Sequence, residues 1–166
     1  GFMYKSLLAL ALPVLVLLNA PEPADARPSI RIRAKVVGRC DAYFENRRSP
    51  KQTVAVPNGE KCVVRIRASK VIRKGNKSRR VKRTPLNGAH FTLSQDGYVQ
   101  SDNSVLNVST PIASGQVNDV GVVQLPFTYD KDICFYNVAG SPRRWKGTLI
   151  RTFAGLTDEC FLAFFK

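Results

Sequence analysis

The chain has 166 residues, 26 Lys and Arg against 12 Asp and Glu, and a formal net charge of +14. One histidine and four cysteines with no CxxC pair argue against a zinc centre. No acidic run has the spacing of an EF-hand loop, and there is no Gly-x-Ser-x-Gly nucleophile elbow.

Residues 3–26 read as a secretory signal peptide. Met3 is followed by the charged Lys5, then by the apolar run Leu7–Leu18, then by Ala24-Asp25-Ala26, a small-x-small cleavage signal. Gly1 and Phe2 precede the methionine as extra residues. The apolar run is shorter than the about 20 residues that a spanning helix needs. The expected folded domain is therefore 27–166, a single domain by size, in the periplasm or outside the cell. In that compartment Cys40, Cys62, Cys134 and Cys160 read as two disulfides. Three pairings exist. Cys40–Cys62 with Cys134–Cys160 is favoured, because each closes a short loop within one half of the chain.

Period-two patterning dominates residues 27–166. In Ile30–Val36 the apolar set Ile30, Ile32, Ala34, Val36 alternates with Arg31, Arg33 and Lys35. Cys62–Ala68 repeats the pattern, with Arg65 and Arg67 opposite Cys62, Val64, Ile66 and Ala68. Each reads as a half-buried strand with a cationic outer face. Further strands are expected at Thr53–Val56, His90–Ser94, Tyr98–Gln100, Val105–Ser109, Val120–Leu125, Ile133–Val138, Gly147–Phe153 and Cys160–Phe165. Turn signals separate them at Pro57-Asn58-Gly59, Asn87-Gly88, Asp96-Gly97, Ser114-Gly115 and Gly140-Ser141-Pro142. Many short strands in a domain of this size predict an all-β fold, a single β-sandwich, with a small β-barrel as the alternative. The late aromatics, from Phe127 and Tyr129 through Tyr136 and Phe153 to Phe161, Phe164 and Phe165, are expected to supply most of the core.

The charge is uneven. Residues 27–83 hold 19 Lys and Arg against Asp41, Glu45 and Glu60, whereas residues 84–166 hold 6 against 7 acids. The densest stretch is Lys70–Arg83, in which Lys70, Arg73, Lys74, Lys77, Arg79, Arg80, Lys82 and Arg83 stand without an acid around Gly75-Asn76. It reads either as two cationic strand ends meeting at a turn or as a basic loop. Together with Arg31, Arg33, Lys35, Arg65 and Arg67 these residues form the expected polyanion-binding set. The partner is an anionic polymer or surface: a nucleic-acid backbone, a polysaccharide or lipid headgroups. The bland reading of the same charge is solubility. Only Tyr43 and Phe44 lie among these cations as aromatics, so sequence-specific base stacking is poorly supported.

Nothing selects a catalytic set, and no cofactor is implied. A hydrolase such as a ribonuclease would have to use His90, which sits between Ala89 and Phe91 where a packed histidine is commoner. Asp130-Lys131-Asp132 offers calcium ligands in a loop, but turn formation is the simpler role.

The strand Ile30–Val36 running on to Cys40, with a second cysteine at Cys62, is similar to the opening of chaperone–usher pilins and spore-coat-U-type secreted domains. Gly147–Phe153 resembles their closing strand. The likeness implies an immunoglobulin-like sandwich and a structural subunit that self-assembles by strand exchange. Two departures stand beside it. The chain continues to Cys160, and Arg27-Pro28 leave little free segment before the first strand.

Overall fold

The computed structural model describes residues 29–44, 58–73, 81–141, 148–155 and 157–164. The segment read as a signal peptide, the strand expected at Thr53–Val56, and Lys74, Lys77, Arg79 and Arg80 lie outside the described residues. The chain divides into two compact units, Ile30–Val71 with Arg83–Lys166, and Gly1–Ser29 with Ile72–Lys82. The first carries the core. Of the second, the described residues are Ser29 and the strand ends Ile72–Arg73 and Val81–Lys82.

Among the described residues eight strands run in chain order as β1 (Ser29–Val37), β2 (Lys61–Arg73), β3 (Val81–Pro85), β4 (His90–Val99), β5 (Val105–Gln116), β6 (Val122–Thr128), β7 (Ile133–Gly140) and β8 (Thr148–Ala154). A 3-10 turn covers Gly38–Tyr43, and a helix, α1, covers Asp158–Phe164. The strands form two antiparallel sheets, as the alternation predicts. In one, β1, β2 and β3 are successive neighbours and β6 also pairs with β2. The other runs β5-β4-β7-β8. Among the described residues no helix is long and apolar enough to cross a membrane.

Alternation explains how the sheets share one core. Val64 and Ile66 of β2 are fully buried, and β6 sets Leu125 and Val123 opposite them in register. Phe91 and Leu93 of β4 and Tyr136 and Val138 of β7 are buried from the other sheet and join the same cluster. Phe44, just after the 3-10 turn, stands edge-on to the rings of Phe127, Tyr129, Tyr136 and Phe153, at 5.6–6.2 Å between centroids. Burying one such ring stabilises the fold by about 1.5–3 kcal/mol. An aromatic from the basic half therefore sits among the late aromatics.

Both disulfides pair as expected. Cys40–Cys62 ties the 3-10 turn to β2, and Cys134–Cys160 ties β7 to α1.

Three local expectations are corrected. The pattern at Cys160–Phe165 predicts a strand, yet Asp158–Phe164 is helical. Cys160 and Phe164 are four residues apart, which is one helical face. The first is bonded to Cys134, and the second lies 5.1 Å from the ring of Phe135. Asp158 and Glu159 sit in the first helical turn, where the dipole favours acids. Phe161 is accordingly 62% exposed rather than part of the core. The strands expected at His90–Ser94 and Tyr98–Gln100 are one strand, β4, because Asp96-Gly97 is an irregularity in its pairing and not a turn. A Cβ on Gly97 would stand 2.8 Å from Cys134 Cβ, so glycine permits close approach there. Ser114-Gly115 likewise lies inside β5, with Gly115 against Val123.

Candidate functional site: a cationic cavity

The two Arg-rich strands predicted from alternation are neighbours in one sheet. Neighbouring strands stand about 4.8 Å apart, and residues two apart on one face stand about 6.7 Å apart. Alternation therefore stacks Arg33 and Lys35 of β1 beside Arg65 and Arg67 of β2. All four line one cavity of 390 Å³. Ile32 and Ala34 of β1 and Ile150 of β8 add an apolar wall, and Arg151 of β8 supplies a fifth cation. Among the described residues the lining contains no carboxylate, hydroxyl, thiol or imidazole. It offers positive charge, hydrogen-bond donors and a short apolar surface.

Arg151 reaches the cavity through an irregularity in β8. Val138 pairs with Arg151 and Ala139 pairs with Leu149, so Ile150 is the extra residue of a bulge. The guanidinium carbon of Arg151 lies 5.5 Å from the centroid of the Phe153 ring. Arg65 is the least exposed of the cations. It is half-buried, and its Nε is buried without a hydrogen-bond partner. Across the pairing with β6, Arg65 faces Gln124 and Arg67 faces Val122, both neutral.

Of the thirteen residues expected to bind polyanions, Arg33, Lys35, Arg65 and Arg67 are brought together here. Arg31, Lys70 and Arg83 are exposed on strands of the same sheet but do not line the cavity. Arg73 and Lys82 are exposed and belong to the other unit. Arg151 escapes a reading by charge density because it lies in the half with a net negative count. One signal marks it: it is the sole Lys or Arg within strands β4 to β8.

His90 opens β4 opposite Gln116 and is exposed, not packed. Its carbonyl accepts a hydrogen bond from the Ser141 amide at 2.9 Å. Asp130 forms a turn: its Oδ1 accepts from the Asp132 amide at 2.9 Å. Asp102 does the same for the Ser104 amide at 3.0 Å. The Ser104 hydroxyl, donating to the same oxygen, holds the fully exposed Asp102 carboxyl below its ordinary value. Among the described residues no group of three His, Cys, Asp or Glu could hold a metal ion. Comparison with protein-family models, curated proteins and solved structures finds no match.

Proposed function

We propose that the chain is a secreted, non-enzymatic binding module, an immunoglobulin-like sandwich braced by two disulfides, that holds an anionic polymer or surface at the cavity between β1, β2 and β8. One observation carries this reading: five cationic side chains line a single cavity, and no carboxylate lines it among the described residues. Like charges held together without counter-charge repel, and an anionic chain that enters relieves that repulsion while releasing its own counterions. The two disulfides support an oxidising compartment. Retention on immobilised heparin or duplex DNA at low salt, lost well below about 0.5 M NaCl, is the expected result. Absence of retention at low salt would overturn the reading.

A second reading, a structural subunit that self-assembles, is favoured by β5. Among the described residues it ends its sheet; it spans twelve residues without a single charged side chain and leaves Leu106 46% and Val108 47% exposed. Natural edge strands are usually blunted by charge, and a long uncharged edge is a template for a second copy. Concentration-dependent assembly that vanishes in Leu106→Lys/Val108→Lys would support this reading. A wild-type monomer at high concentration would remove it.

A further inference from the structure

From the same cavity we infer a selective subsite: Arg65 anchors a tetrahedral oxyanion, the sulfate or phosphate group of the polymer, and discriminates against carboxylate. The inference rests on the binding reading above and goes beyond it, from a field of charge to a recognised chemical group.

The unpartnered Nε of Arg65 is the starting point. A guanidinium N–H removed from water with nothing to donate to is costly to keep, and an acceptor brought in by a ligand removes that cost. Among the described residues no acceptor meets this Nε, and its neighbours across the β6 pairing and around the cavity are neutral or cationic. A ligand entering the cavity would supply the acceptor that none of the described residues provides, and an anion suits the cationic surroundings.

The arrangement also sets the shape of that anion. Arginine presents a planar fork that takes two oxygens of one group in parallel. A carboxylate has two oxygens, and one fork uses both. A sulfate monoester keeps a third free oxygen directed away from the first pair, and a phosphodiester keeps its two bridging oxygens there as weaker acceptors. Here those oxygens have donors to meet, because Arg67 stands two residues along β2, and Arg33 and Lys35 stand on the adjacent strand. At backbone spacings of about 5–7 Å along and between strands, cations lining one cavity can reach a single tetrahedral group. The apolar wall of Ile32, Ala34 and Ile150 suits the uncharged linkage that carries such a group.

The test monitors the Arg65 Nε–H signal by NMR in the folded protein during titration with inorganic sulfate, inorganic phosphate and sodium acetate. Polymer binding is measured beside it with heparin, duplex DNA and hyaluronan, which carries carboxylates only. The expected result is a saturable shift of that signal with sulfate or phosphate and not with acetate. Heparin or DNA should bind at least about tenfold tighter than hyaluronan, the gain expected of a charge-assisted bond. A response to heparin alone makes the source a sulfated glycan, and an equal response to DNA makes phosphate sufficient. Arg65→Lys keeps the charge but removes the fork. It should cut the preference for sulfate over carboxylate about tenfold, whereas Arg67→Lys should keep most of it. Melting curves confirm that both variants are folded. Equal binding of heparin and hyaluronan, or a silent Arg65 signal, overturns the subsite while leaving the general binding reading in place. Binding of none of the three polymers overturns both.

Discussion

The guanidinium carbon of Arg151 sits 5.5 Å from the centroid of the Phe153 ring, two residues along the same strand. Phe153 is buried and stands edge-on to Phe44 in the aromatic cluster. The fifth cation of the cavity is thus braced against the core, not held out on a free side chain. An exposed cation over an aromatic face contributes about 0.5–1 kcal/mol. Arg151→Gln is expected to lower the slope of log Kd against log salt for DNA by about one and to change stability by less than about 1 kcal/mol. Phe153→Ala should cost about 3–5 kcal/mol and weaken binding as well. Salt-dependent binding and denaturant melts separate the two effects.

Tyr136 ties alkaline stability to the core. Burial is the main cause that lifts its phenol well above the ordinary value of 10. The hydroxyl accepts a hydrogen bond from the Asp130 amide at 3.0 Å. The folded state holds the proton more tightly than the unfolded chain does. The stability this represents is complete below pH 10 and is lost as pH rises past it. Tyr136→Phe should flatten that alkaline limb and cost about 1–2 kcal/mol at neutral pH, because the Asp130 amide loses its partner. Melting midpoints across pH 7 to about 11 would show both effects.

The Cys134–Cys160 bond closes a loop with a sequence separation of 26. Chain-entropy arguments assign about 3.5 kcal/mol to a loop of that length. The helix it holds has seven residues, and helices that short are marginal alone in water. A Cys134→Ala/Cys160→Ala variant should therefore lose amide protection in α1 before it does so in β4 or β7. Hydrogen exchange read segment by segment would check this.

Gly140 ends β7 against the Phe91 ring, and a Cβ there would overlap the ring carbons. Phe91 is fully buried. Gly140→Ala is expected to destabilise by about 1–3 kcal/mol, as overpacked cores do. A urea melt with an unchanged m-value would confirm that the cost lies in the native state.

Period two is legible wherever one face of a strand is buried. Ile32, Ala34 and Val36 in β1 and Val64 and Ile66 in β2 mark both the strands and the cationic side. The disulfides are legible from loop length within each half. Gly97 misleads because a glycine in a strand and a glycine in a turn carry the same letter, and only the neighbouring Cys134 tells them apart. The helix at Asp158–Phe164 is masked by aromatics that also suit a strand, and the Cys160 to Phe164 spacing is the better guide. Arg151 cannot be found by counting charge in runs. It joins the site through a pairing of distant strands, which local sequence does not encode.

The central claim is that geometry, not total charge, makes the anion site. Two variants with equal charge test it: Arg33→Gln/Lys35→Gln/Arg65→Gln/Arg67→Gln inside the cavity, and Arg31→Gln/Arg39→Gln/Lys70→Gln/Arg83→Gln outside it. Duplex DNA binding is measured from about 50 to 300 mM salt. The slope of log Kd against log salt should fall by about 3–4 for the first variant and by less than about one for the second. Equal losses in the two would show that binding follows net charge alone and would contradict the account.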